Sequence, residues 1–288
     1  MRDLVHVTTD EAGVARLTMD NPPVNALGHA LRQALVDALA RAEADPAVRI
    51  ILLTAAGRTF PAGADIREFD EGPKTPGLSE LCNRVEACSK PVIAVIHGTA
   101  LGGGFELALA SHYRIAESRA RLGLPEVTLG ILPGAGGTQR LPRLAGAEVA
   151  LEMMLAGKPV SAAEAARLGL VDRVAEGDLA TAAAAYAEEL LAAGAAPRPT
   201  RAIQKGFNDA PAYQQAIRKF RARAADSPIR APERIVSCVE AAQLLPFEAG
   251  LEFEEAAFED CVQTDGARAL RHAFLAERLA GKLPEAEG

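Results

Sequence analysis

Two carboxylates in the 288-residue chain stand where burial alone would place something else. Glu106 sits inside "ALGGGFELALA" (Ala100 to Ala110), behind three consecutive glycines and within an otherwise apolar run. Glu126 follows Pro125 in "GLPEVTLG". A buried, unpaired carboxylate is costly or gives up its charge, so Glu106 must have either a partner or a task. One reading makes it the acceptor of a buried ion pair and Glu126 an ordinary surface residue. The other makes the two a general acid and base. The glycines bear on the choice. A triple glycine at a strand exit bares the main chain, and N–H groups at a helix start have no partner within the helix. Such donors suit a phosphate or an oxyanion. The phosphate reading lacks support: Gly98, Gly102, Gly103 and Gly104 do not make G-x-G-x-x-G, and no G-x-x-x-x-G-K-[ST] occurs. An oxyanion hole needs a proton carrier nearby, and both glutamates qualify.

The elements that must hold these groups alternate along the first half. "LVHVTT" and "VARLTM" flank "DEAG" as a hairpin. "HALRQALVDALARAEAD" is an amphipathic helix with Leu31, Leu35 and Leu39 on one face. "RIILLTA" and "PVIAVIHG" are continuous apolar runs, predicting strands covered on both sides. Between them "GLSELCNRVEACS" reads as helix, and "ALGGGFELALASH" opens another. "YRIAES" is a strand, followed by a long loop, "RARLGLPEVTLGILPGAGGTQRL". "AGAEVALEMMLAG" and "SAAEAARLGL" are helices, the second with Ser161 as N-cap. "VDRVAE" is a short strand and "LATAAAAYAEELLAAG" an Ala-rich helix. "GAAPRPTRA" reads as a linker, dividing the chain into residues 1–195 and an all-helical 196–288. Three strands, "RIILLTA", "VIAVIHG" and "YRIAES", exit into loops of similar character, and the first two exits present bare backbone where an open parallel sheet builds its site.

Composition narrows the function. At 49% hydrophobic and 24% charged the chain can bury a sizeable core, and its net charge of −7 argues against a nucleic-acid partner. The one basic cluster, "IRKFRARA", is read as a solvated helix face. Cys82, Cys88, Cys238 and Cys261 form no C-x-x-C pair and lack histidines at metal spacing, so reduced thiols and no metal are expected. The N-terminus lacks a signal-peptide core, and no run nears the roughly 18 apolar residues of a membrane span. A cytoplasmic protein is expected, or one in an organelle matrix after loss of a transit peptide.

At these same residues the sequence resembles the enoyl-CoA hydratase/isomerase, or crotonase, family. "FPAGADIREF", "GTALGGGFELALASHYRIA" and "RLGLPEVTLGILPGAGGTQRLPRLAG" are similar to its two oxyanion-hole segments and its second catalytic carboxylate segment. They occur in order, and the resemblance covers essentially the whole chain. It implies an α/β crotonase spiral of ββα units followed by a helical segment. The N–H groups of Ala64 and Gly103 would form the oxyanion hole, with Glu106 and Glu126 as the catalytic pair. Ala26, Ala62, Asp65, Ile66, Arg67, Gly102 and Gly134 would contact substrate. Arg67 stands where the family usually has lysine for the coenzyme A phosphates. "EFDEGPKTPGLSELC" (Glu68 to Cys82) would shape the acyl end as a mobile loop. Both glutamates together favour hydration of trans-2-enoyl-CoA in fatty-acid β-oxidation, with isomerisation of 3-enoyl-CoA as a further activity. Coenzyme A would enter as part of the substrate, with no other cofactor. The C-terminal half resembles the segment joining hydratase to dehydrogenase in multifunctional fatty-acid oxidation enzymes. The chain then reads as a stand-alone hydratase or as the first part of a longer protein. Trimers, hexamers, or a monomer covered by its own helices all remain open. So do three rival readings: a non-catalytic acyl-CoA-binding member, an isomerase or thioester hydrolase, and, from the residues alone, a dinucleotide-binding domain.

Overall fold

A computed structural model describes residues 3–70, 72 and 74–280. The chain opens with β1 (Val5–Thr9) and β2 (Val14–Met19), then α1 (His29–Ala44), β3 (Ile50–Ala55), α2 (Leu78–Glu86) and β4 (Val92–Ile96). Next come β5 (Thr99–Leu101), α3 (Gly103–Ala110), β6 (Tyr113–Glu117), β7 (Arg121–Gly123) and α4 (Gly137–Ala156). β8 (Val160–Ser161), α5 (Ala162–Arg167), β9 (Arg173–Ala175) and α6 (Leu179–Ala192) follow. Four helices complete the described chain: α7 (Ala210–Ala224), α8 (Ala231–Leu244), α9 (Phe247–Val262) and α10 (Asp265–Ala280).

The hairpin β1–β2 edges a six-stranded sheet ordered β1-β2-β3-β4-β6-β9, parallel beyond the hairpin. The continuous apolar run of β3 serves two cores at once. Ile51 and Leu53 join the larger core with Leu31, Leu35 and Leu39 of α1, while Ile50 and Leu52 join Val95, Ile115 and Tyr186 under α6. Strand alternation between two covered faces is what a continuous apolar strand requires. A second sheet, β5-β7-β8, takes the strand that follows each of β4 and β6. The step from β4 to β5 turns at Gly98, whose φ is +59°. Strand, short strand, helix is thus repeated as β4-β5-α3 and β6-β7-α4, the ββα unit expected.

Three local readings change. The long loop expected after β6 carries β7 and a 3₁₀ turn, Glu126–Leu129. The helix expected from Ala145 begins at Gly137 instead. Pro142 lies inside it, and Gly146 (φ +81°) kinks it. Both residues look like breakers in sequence, yet burial of Leu141, Leu144 and Leu151 holds the element together. The "GAAPRPTRA" stretch is strapped to the core. Thr200 donates to the Leu109 carbonyl (2.7 Å), and the Tyr113 hydroxyl donates to the Ala196 carbonyl (2.9 Å). Ile217, Val236 and Val239 of α7 and α8 share the larger core with α3 and α4. In "IRKFRARA" Phe220 is buried and Arg218, Lys219, Arg221 and Arg223 face solvent. Lys219 and Arg221 pair there with Glu148 and Glu240.

Candidate active site

Two glycine constraints bring the backbone donors together. Residues 60–63 run as a ribbon between the 24–28 segment and β5. Ala62 N–H donates to Val24 (3.1 Å), Leu27 N–H to Gly63 (3.0 Å) and Leu101 N–H to Pro61 (3.4 Å). The start of α3 is pressed against this ribbon, since a Cβ on Gly104 would overlap the Pro61 carbonyl, 2.6 Å from its carbon. Gly102 makes the turn into α3 with φ +50° and ψ −129°, which side chains rarely allow. As a result Gly103 and Ala64 are neighbours: a Cβ on Gly103 would lie 3.2 Å from the Ala64 nitrogen. The Gly103 N–H opens α3 and has no acceptor within the helix. Among the described residues, no acceptor for the Ala64 N–H is recorded either.

Both glutamates lie beside this pair, and both bland readings of them fail. Glu106 sits in the first turn of α3 at 2% exposure. Its Oε1 accepts from the N–H groups of Ala135 (2.7 Å) and Gly137 (2.8 Å), so its partners are backbone donors rather than a cation. Glu126 is buried, not a surface residue. Its Oε1 lies 3.1 Å from where a Gly102 Cβ would be, and its Oε2 has no partner among the described residues. Burial raises the Glu106 pKa while the two N–H groups and Arg140 oppose the rise. Burial and then the nearby Glu106 charge push Glu126 well above the usual carboxylate range. The environments therefore differ in kind: donors aimed at Glu106 favour its charged form, and an orphaned oxygen on Glu126 favours the neutral one.

A third buried carboxylate, Glu254 on α9, escaped the sequence reading. It is 1% exposed. Its Oε1 accepts from Gly136 N–H (2.6 Å), and its Oε2 from the N–H (2.9 Å) and hydroxyl (2.5 Å) of Thr138. Burial and the Glu106 charge push it up to about 8. The signal was present in "FEAGLEFEEAAFEDC". Phe247, Gly250, Glu254, Ala257 and Cys261 form one buried stripe at helical spacing, with a carboxylate on it. Behind the same loop, buried Arg140 donates to the Ala135 carbonyl (3.0 Å), Asn83 (2.7 Å) and Glu86 (2.8 Å).

The other residues expected to contact substrate lie on the 24–28 and 61–70 segments, at Gly102 and at Gly134. Ala62 and Ala26 lie on neighbouring segments, with the Ala26 carbonyl accepting from Gly28 (2.9 Å) and Asn21 (2.9 Å). Ile66 opens a 3₁₀ turn, Ile66–Asp70. Arg67 is 74% exposed and grips Asp65 with two bonds (2.8 and 2.6 Å), which lowers the Asp65 pKa. Gly134 lies just before the donors that Glu106 takes and faces the Phe258 ring of α9, 2.7 Å from a built Cβ. Phe258 also meets Phe69 edge to face at 5.7 Å, so α9 covers this end of the site. Of the stretch expected as a mobile loop, residues 71 and 73 lie outside the described residues. Its flanks are tied to α1: Glu68 pairs with Arg32 (2.8 Å), and Arg32 and His29 each bond a carbonyl, of Pro76 and Thr75 (2.8 Å each). Among the described residues no three His, Cys, Asp or Glu side chains group as metal ligands, and no helix is long and apolar enough to cross a membrane.

Comparison with known proteins agrees with this geometry. Residues 9–231 match the enoyl-CoA hydratase/isomerase family. The chain is 43% identical over 271 residues to the peroxisomal bifunctional enzyme of Danio rerio, covering 93% of this chain and 37% of that protein. It is 50% identical over 165 residues to a probable enoyl-CoA hydratase of Bacillus subtilis, 55% of this chain and 64% of that one. The chain thus spans little more than a third of the bifunctional relative it matches. Among solved structures, carnitinyl-CoA hydratase from Mycobacterium avium superimposes with a TM-score of 0.71 at 30% identity, over 96% of this chain and 97% of that one. A match over most of the sequence, a shared fold, and paired glutamates beside two backbone donors lead to one conclusion: the chain belongs to the enoyl-CoA hydratase/isomerase family.

Proposed function

We propose that the chain hydrates trans-2-enoyl-CoA thioesters to 3-hydroxyacyl-CoA, as a step of fatty-acid β-oxidation. The observation that carries this reading is the unequal pair, Glu106 with two donors and Glu126 with an orphaned oxygen, beside the adjoining Ala64 and Gly103 N–H groups. Two titratable groups whose surroundings differ in this way divide into base and acid. Ionised Glu106 orients the water and accepts its proton as oxygen adds at C3. Negative charge gathers on the thioester oxygen, where the two N–H groups bind it more tightly than in the ground state. Protonated Glu126 delivers its proton to C2. The two carboxylates titrate as a pair.

Ala26, Ala62, Ile66, Gly102 and Gly134 would line the thioester and acyl path, with Asp65 and Arg67 at its mouth, where Arg67 would meet the coenzyme A phosphates. No further cofactor is needed, since coenzyme A arrives within the substrate. The same two carboxylates could carry a proton from C2 to C4, so isomerisation of 3-enoyl-CoA is a second reading. The cover formed by α9 over the site supports a monomer covered by its own helices over a trimer or hexamer, which gel filtration with light scattering would check. Four buried free thiols support a reducing compartment, the cytoplasm or an organelle matrix.

The test is loss of the conjugated enoyl-thioester absorbance with crotonyl-CoA. The native protein should turn over, and Glu106→Gln and Glu126→Gln should each lose about 10²-fold or more in kcat while still folding. Native protein that binds crotonyl-CoA and leaves it, longer 2-enoyl chains and 3-enoyl-CoA unchanged would establish the non-catalytic rival instead.

A further inference from the structure

We propose that Glu254 is a positioning residue for Glu106: the two carboxylates, one from α9 and one from α3, share the backbone donors of Ala135–Thr138, and Glu106 keeps its aim only while Glu254 holds its half. For its kinetic consequence the inference rests on the hydratase reading.

The four donors are consecutive, and they alternate. Ala135 and Gly137 donate to Glu106, while Gly136 and Thr138 donate to Glu254. Gly136 turns left-handed (φ +94°) into α4, whose first residues are Gly137 and Thr138, and successive N–H groups around this turn go to different carboxylates. Two peptide planes of the run are held at both N–H and carbonyl: Ala135–Gly136 by Glu254 and Arg140, and Gly136–Gly137 by Glu106 and the first N–H groups of α4. If Glu254 lets go, the Gly136 and Thr138 N–H groups are left buried without acceptors and turn to find others. That turning rotates the Ala135 and Gly137 planes that carry Glu106.

The bonds around Glu254 have a fixed direction. Gln139 Nε2 donates to the Thr138 hydroxyl oxygen (2.9 Å) and to the Cys238 carbonyl (3.0 Å). The hydroxyl must then give its own proton to Glu254, which receives three donors in all. Space for this arrangement comes from Gly250, one turn earlier on α9, where a Cβ would lie 3.0 Å from the Gln139 amide carbon. Arg140 holds the Ala135 carbonyl from the far side. The loop is thereby clamped at its donors by two carboxylates and at its first carbonyl by an arginine.

The experiment uses the full chain with Glu254→Gln, alone and combined with Glu106→Gln. Gln keeps the shape but has a single acceptor oxygen, so its NH₂ group must meet the donor of either Gly136 or Thr138. In the single variant kcat with crotonyl-CoA should fall about 10- to 100-fold with KM changed less than about twofold, the effect of small misplacement of a catalytic group. Amide exchange at Ala135 and Gly137, followed by NMR against the β3 amides, should quicken about tenfold or more. In the Glu106→Gln background the second change should alter the residual rate less than about twofold, because the group being positioned is already disabled. An equal loss in both backgrounds, or unchanged exchange at the two amides, would overturn the proposal. If the native protein hydrates no enoyl-CoA, the hydratase reading falls by itself and the exchange measurement still decides the positioning role. If Glu254→Gln does not fold, Glu254→Asp, which keeps the carboxyl group but shortens the reach, is read by the same two measurements.

Discussion

The closest approach in the site is between Gly104 and the Pro61 carbonyl, and it makes the sharpest prediction. Alanine at 104 would place a Cβ 2.6 Å from the Pro61 carbon. Carbon atoms pack at about 3.5 Å or more and the Pro61 oxygen lies nearer still, so the start of α3 and the 60–64 segment must part by at least about 1 Å. Ala64 is on one of these segments and Gly103 on the other. The distance that must open is therefore the one between the two backbone donors. A misplacement of about 1 Å in a catalytic array costs about 10²-fold. Overpacking of this kind costs about 1–3 kcal/mol in stability, within reach of a folded protein. The expected result for Gly104→Ala is a kcat about two orders of magnitude lower with crotonyl-CoA, in a protein that still unfolds cooperatively in urea. Gly266→Ala in α10 is the control, because a Cβ there meets only the Ile229 side chain, at an ordinary 3.4 Å. A Gly104→Ala protein that is less stable but turns over at the native rate would refute the reasoning, since the donors would then not be what the contact fixes.

Other outcomes follow from the buried charges and caps. Glu86→Ala leaves the Arg140 guanidinium buried without its carboxylate, and should cost about 3–5 kcal/mol in urea unfolding. Glu254 is raised from 4.5 to about 8 in the folded protein, by burial first and the Glu106 charge second. The native state therefore holds a proton that the unfolded chain releases, and native stability drains away as pH rises from about 4.5 to about 8. Unfolding midpoints of Glu254→Gln and the native protein, compared at pH 5 and pH 8, should shift in the variant's favour at the higher pH. A constant difference would show that the carboxyl does not titrate in that window. Ser161 caps α5 by accepting from Glu164 N–H (3.2 Å), so Ser161→Ala should lower stability by about 0.5–2 kcal/mol with kcat unchanged.

What the sequence made legible depended on how far each signal had to reach. The strand β3 could be read because four large aliphatic residues in a row, Ile50 to Leu53, have one simple explanation, two covered faces. Glu106 could be read because a carboxylate in an apolar run contradicts its neighbours. The length of α4 was hidden by Pro142 and Gly146, whose local preferences are outweighed by burial of the leucines around them. The second sheet came only with the resemblance; its strands are two or three residues long and owe their pairing to tertiary placement, so the residues alone did not mark them. Glu254 carried the same contradiction as Glu106, a carboxylate on a buried stripe. It stood among Glu252, Glu255 and Glu259, and without knowing which face α9 buries, nothing set it apart.

The clamp on the Ala135–Thr138 loop also has a consequence in time. Its two halves are 116 to 118 residues apart in the chain. A ribosome adding about 5–20 residues each second delivers the loop roughly ten seconds before Glu254. For that interval Glu106 has its donors but the loop lacks its second anchor, and the face of α4 that will meet α8 is bare. A nascent chain is then an unfinished catalyst with an open apolar flank, a natural client for a chaperone. α8 covers that face as it docks, and α9 behind it brings Glu254 and completes the clamp, so the donor loop is the last part of the site to be fixed.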